Sequence, residues 1–405
     1  MIRENPSHLR DPVAESLPEL RDFSLVLGGP LYQLLCRAHL EDDAGSHLRR
    51  RIAVVCGFIW LPLLVLCAVE GTLLQGVKIP FLFDVETHAR FLVAAPLMIL
   101  AELIVHRRIR DVIAQFVERR LIPAGSMDLF REAIRSAVRW RNSIFAELAL
   151  LAIVLPLGYY IRTDVFALKA STWYATAGAD GTTLTLPGFW FTWVSNPLLQ
   201  FLLLRWCFRV VIWTRFLWQI SRIQLDLIPT HPDRNAGLGF LGGSAYAYSP
   251  LLASISAMVA GLVASRIFYQ GASLADFKLE IVILVGLGML LVLGPLTVFA
   301  GQILAAKRLG LREYGVFAAE YSREFDRRWL RSAGHDGVTL LGAGDIQSLA
   351  DLANAFSIIK EIRPVPFGRD TFVQLVWATL LPFFPLVFTM IPLDELLDRL
   401  VGAVF

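Results

Sequence analysis

The sequence predicts an all-α fold: a polytopic transmembrane helix bundle of about seven spans, with helical extensions on the cytosolic side. Three observations carry this. Apolar runs of about 20 residues recur along the chain, the length needed to cross ~30 Å of hydrocarbon. The 405 residues are 56% hydrophobic and 18% charged, whereas soluble domains carry about 25% charge. The basic residues are also segregated, since 31 of the 38 Lys and Arg fall in the N-terminal segment, in alternate connections or at the end of the fourth run. The ~10-residue alternating segments of a membrane β-barrel are absent from the pattern.

The runs lie at 52–74, 88–106, 143–162, 190–213, 249–269, 280–304 and 371–392. Their basic flanks place the N-terminus in the cytoplasm and the C-terminus outside, which fits a multi-pass protein of a bacterial inner membrane. Residues 1–51 form a cytosolic N-terminal segment. Within it, Leu31, Leu34, Leu35 and Ala38 mark one side of a short amphipathic helix after Gly28-Gly29-Pro30. Arg49-Arg50-Arg51 reads as the topogenic flank of an uncleaved first span. Spans one and two occupy 52–106. Helical spacing then continues through Ile109, Val112, Ile113 and Phe116 and turns near Pro123, giving a cytosolic hairpin over 107–142.

Spans three and four occupy 143–213, and Trp173 and Tyr174 in the outer connection between them suit the headgroup level. A cytosolic loop at 214–248 leads to spans five and six at 249–304. Residues 305–370 form a cytosolic helical element, expected to pack on the hairpin and carrying Ile346, Leu349, Leu352, Phe356 and Ile359 at helical spacing. Span seven and a tail complete 371–405. Every span carries a Pro-Leu pair, at Pro62, Pro96, Pro156, Pro197, Pro250, Pro295 and Pro385, compatible with a weak two-helix repeat.

Two groups of residues are candidates for chemistry. Glu102, Glu147, Arg205 and Arg209 all fall in the cytosolic half of apolar spans. A lone charge there costs at least ~2.5–3.5 kcal/mol, so the four are expected to form an intramembrane network. It can serve as an ion or proton path, or simply pin spans two, three and four together. The second group is the loop 231–243, with His231, Asp233, Arg234, Asn235, Gly237 and Gly239. Its Gly-x-Gly-x-x-Gly spacing follows a membrane helix and not a β-strand, which excludes a dinucleotide fingerprint. Asp233-x-Asn235-x-Gly237 lacks the closing acidic residue of a calcium loop. His231 has no ligand partner nearby, and Cys36, Cys56, Cys67 and Cys207 show no paired spacing, so neither a zinc site nor a disulfide framework is expected. One reading of this loop is a helix-capping turn. The other is an anion-binding nest built from glycine N–H groups and Arg234.

Thr230-His-Pro-Asp-Arg-Asn-Ala-Gly-Leu-Gly-Phe-Leu241, Phe23-Ser-Leu-Val-Leu-Gly-Gly-Pro-Leu-Tyr32 and Arg363-Pro-Val-Pro-Phe367 resemble features of uncharacterised bacterial multi-span inner-membrane proteins. That resemblance implies a membrane location but no activity. The leading functional expectation is transport or conduction of an ion or small solute past the Glu/Arg network. A membrane-embedded enzyme, or a lipid- or anion-binding module acting through loop 231–243, is the alternative, and a membrane scaffold the third. The expected partners are the bilayer and its anionic headgroups; a homo-oligomer is compatible, and neither a cofactor nor nucleic acid is expected.

Overall fold

The computed structural model describes Ser24, Gly28 and residues 48–165, 172–178, 181–331 and 344–390. The helix expected after Pro30, the turn at 332–343 and the tail beyond Met390 lie outside the described residues. The chain is a helical, multi-pass membrane protein. Six of its helices are long and apolar enough to cross a membrane: α1 (Leu48–Val69), α2 (Val85–Glu118), α5 (Leu186–Ile220), α6 (Gly239–Gln270), α7 (Leu274–Leu330) and α9 (Arg369–Met390). The predicted run at 143–162 is helical as well, as α4 (Ile144–Val165), with an apolar described stretch at Ile144–Val154. The expected cytosolic helices are α3 (Met127–Arg141) and α8 (Gly344–Lys360).

Local chemistry sets the ends and bends of these helices. Asp84 caps α2 by accepting from the Thr87 N–H at 3.2 Å, and Thr185 caps α5 by accepting from the Gly188 N–H at 3.0 Å. Gly271 ends α6 in the left-handed conformation at φ 69°. A proline ring clashes with the carbonyl four residues back and removes one N–H donor. Pro96 and Pro197 are accordingly preceded by widened π-helical turns at Ala89–Ala94 and Phe191–Ser195. Pro295 instead sits in a tightened 3-10 stretch, Gly294–Phe299, within α7.

The main core runs between α1, α2, α5 and α6 and continues past the membrane into α3, which buries Phe130, Ile134 and Ala137. Helices α6 and α2 come very close at Gly261, where a Cβ would lie 2.7 Å from that of Ala89. Small residues permit this approach, which replaces the hydrophobic drive that lipid does not supply. Helix α5 ends at Ile220, about two turns beyond the predicted end at 213, and the loop proper spans 221–238.

The outer connection departs from expectation. It contains a short antiparallel hairpin, β1 (Ala175–Gly178) with β2 (Gly181–Leu184). Trp173 does not present its ring to the surroundings: it is fully buried in the protein, ringed by Phe81, Tyr174 and Phe191. Its Nε1–H donates to Asp84 Oδ2 at 2.8 Å, and that carboxylate also accepts from Thr87 Oγ1 at 2.7 Å. A buried indole needs an acceptor, and the carboxylate that caps α2 provides it.

Candidate functional site

Three places gather the chemistry of this chain. The first is the intramembrane charge cluster. Glu102 on α2 is 2% exposed and shares its carboxylate between two helices. Arg209 Nη1 on α5 donates to Oε1 at 2.6 Å, while Arg51 on α1 pairs with Oε2. Arg209 also lies 5.1 Å over the Trp206 ring, whose Nε1–H donates to the Met98 carbonyl of α2. Arg205 is equally buried and donates to the Gly28 carbonyl at 3.2 Å. Glu147 lines the same small cavity as Arg141, Arg205 and Arg209. At about 10 Å³, that cavity holds roughly one water.

Of the four residues named from sequence, Glu102 and Arg209 therefore form a direct pair, and Arg205 and Glu147 border them. Arg51 was missed as a partner because it reads as part of a topogenic triplet. Its signal was the stride of four through Arg51, Ile59, Leu63 and Cys67, the face of α1 that is buried.

The second place is the loop at 221–238. Asp233 organises it: Oδ1 accepts from the N–H groups of Asn235 at 2.8 Å and Gly237 at 3.1 Å, and Oδ2 from that of Gly239 at 2.8 Å. Burial alone raises this carboxyl, but the donors at Asn235, Gly239 and Gly237, with His231 alongside, outweigh it and hold it below the usual aspartate range. His231 Nδ1 stands 3.0 Å from Asp233 Oδ1. The nest formed by Gly237 and Gly239 thus already binds a carboxylate of its own chain. Arg234 and Ala236 adopt left-handed φ values of 56° and 54°, with Gly237 at 97°.

Around this turn the loop joins the hairpin at 107–142 to the late helical element. Toward the hairpin, the Asp226 N–H donates to the Leu121 carbonyl at 2.9 Å and Arg119 reaches the Gly237 carbonyl. Toward the late element, Asn235 Nδ2 donates to the Val365 carbonyl at 2.7 Å, and Arg234 Nη1 lies 3.1 Å from Glu361 Oε2. The sequence predicts that the late element packs on the hairpin; the loop is wedged between them. All six loop candidates belong to this joint.

The third place was not read from sequence. A groove of about 1040 Å³ lies between α5 and α7, with residues of α6 and α9 also lining it. Its walls include Val211 and Trp218 of α5 and Leu287, Leu290 and Leu291 of α7, and its floor includes Leu252 and Thr379. Gly288 and Gly294 leave that wall of α7 without side chains, and Pro295 lines it from the 3-10 stretch. The lining is almost wholly apolar, with Arg215 at the end nearer the basic loops. The groove and the charge cluster occupy different faces of α5 and share no lining residue.

No family model, curated protein or solved structure matches this chain. Its chemistry is therefore read from its own geometry. Among the described residues no group of three His, Cys, Asp or Glu is placed to hold a metal ion.

Proposed function

We propose that this multi-pass membrane protein binds a membrane lipid, holding an acyl chain in the groove between α5 and α7. The observation that carries the reading is the size and character of that groove: about 1040 Å³, apolar, and flanked by residues of four helices at membrane depth. Ligand sites commonly run to ~300–1,000 Å³ and are lined mainly by apolar groups. A groove lined by membrane-spanning helices meets hydrocarbon chains and not water. Val211, Leu287 and Leu290 on its rim are more than half exposed, so a chain has direct lateral access.

Transport past the charge cluster would need a polar route through the bundle. The cluster instead spends its charges on Glu102 and on the Gly28 carbonyl, beside a cavity of one-water size. Lipid binding is thus favoured over conduction, and the loop at 231–243 acts as the joint that sets the cytosolic ends of α5 and α6. We place the protein in a bacterial inner membrane with its basic loops inward.

The test is a phospholipid carrying a photoactivatable acyl chain, incorporated with the purified protein into liposomes. Labelling should concentrate on Val211, Leu287 and Leu290 relative to the equally exposed Phe58 and Leu61 of α1. Leu291→Trp, which fills the groove, should abolish that concentration. Even labelling of both faces, unchanged by Leu291→Trp, would overturn the proposal.

A further inference from the structure

We infer that the groove selects a lipid with an anionic headgroup, recognised by Arg215 and Arg222 at its basic end; this rests on the groove being a lipid site. Arg215 lines the groove itself. Its guanidinium lies 4.9 Å over the Trp140 ring of α3 and donates to Ser136 Oγ at 3.2 Å, so its position is fixed from outside the groove. Arg222 lies 5.0 Å over the ring of Trp218, which is also part of the wall.

Arg215 lies in the last two turns of α5, and Arg222 follows two residues after the helix ends. Arg222 is just past the end of α5 at Ile220, where a lipid whose tail lies along Val211 and Leu287 would carry its phosphate. Stacking occupies the flat face of a guanidinium and leaves N–H groups on its edge for phosphate oxygens. Among the described residues neither arginine forms an ion pair. Glu132, an acidic residue on the adjoining α3, is engaged by Arg139 at 2.6 Å. The end of an otherwise apolar groove therefore carries two positive charges and no counterion. A zwitterionic headgroup adds no net charge to balance them, whereas phosphatidylglycerol, with one net negative charge, offsets one of the two.

The experiment is native mass spectrometry of the full-length protein, titrated with phosphatidylglycerol and phosphatidylethanolamine of matched chains. At roughly 1 kcal/mol per basic residue near a headgroup, two arginines make the wild type prefer phosphatidylglycerol by up to about thirtyfold. Raised salt should reduce the preference. Arg215→Gln and, separately, the exposed Arg222→Gln should each reduce it severalfold while total bound lipid is kept, and Arg215→Lys should restore part of it. Equal binding of the two lipids by the wild type, or an undiminished preference in both glutamine variants, would overturn the inference. Leu291→Trp separates the two levels of the argument. It should remove both lipids, and unchanged binding of both would sink the groove reading itself.

Discussion

Replacing Glu102 by Gln tests how the bundle is held together. The carboxylate is 2% exposed, with Arg51 and Arg209 at 6% and 5%, and each of its oxygens serves one guanidinium. The glutamine is nearly isosteric, so packing is preserved and only the charge is lost. Two buried guanidinium groups then lose the carboxylate that each of them pairs with. Removing one partner of a buried ion pair costs about 3–5 kcal/mol, in line with at least ~2.5–3.5 kcal/mol for a lone charge at bilayer depth. Against a total stability of about 5–15 kcal/mol, the loss is large. In detergent the melting temperature should fall by about 6–20 °C, taking ~2–4 °C per kcal/mol. Arg209→Met alone should cost less, because Glu102 keeps Arg51. Combined with Glu102→Gln it should recover part of the loss, since one of the two buried positive charges is gone. A Glu102→Gln protein that melts within a degree of the wild type would refute the claim that this carboxylate ties α1, α2 and α5.

Asp233→Asn should release the loop at 221–238, with amide exchange at Asn235, Gly237 and Gly239 rising at least tenfold at neutral pH. In the wild type the carboxyl is held below its ordinary value. Its stabilisation is therefore complete above the unfolded aspartate range near pH ~3.9 and is lost only as the pH falls through the lower folded value. Protection of these amides should accordingly persist at pH 5. Gly261→Leu should prevent α6 from closing on Ala89 and Glu86, and expression of folded protein, followed by size-exclusion chromatography, should drop sharply. Asp84→Ala removes the acceptor of the buried Trp173 indole and the cap of α2. A loss of about 2–4 kcal/mol is expected, from an unsatisfied donor and a missing cap together. The difference in emission between this variant and one also carrying Trp173→Phe should show a red-shifted Trp173.

How far the sequence could be read depended on what each residue type reports. Apolar run length reports membrane crossing directly, so the six long apolar helices, and the shorter one at Ile144–Val154, were legible from residues alone. Charged residues inside those runs were legible too, because their burial cost marks them wherever they occur; Glu102 and Arg209 stand out for this reason. Arg51 did not, because an arginine at a membrane boundary is ordinary, and only the phase of α1 distinguishes it from Arg49 and Arg50. The burial of Trp173 was hidden for a related reason: aromatics at a predicted boundary suit the interface, and its partner Asp84 lies 89 residues away. The groove had no linear signature. It arises where Gly288, Gly294 and Pro295 of α7 face α5, and small residues in an apolar run read equally well as close packing. The density of polar types at 231–239 reflects a self-contained turn in which Asp233 satisfies the glycine donors.

The most direct measurement is a cryo-electron microscopy map of the full-length protein in a bilayer nanodisc containing phosphatidylglycerol. Tubular density between α5 and α7, lying along Val211, Leu287 and Leu291 and ending in a headgroup beside Arg215 and Arg222, is the predicted result. A groove closed by its own side chains, or annular density no stronger there than along Phe58 and Leu61 of α1, would contradict the account.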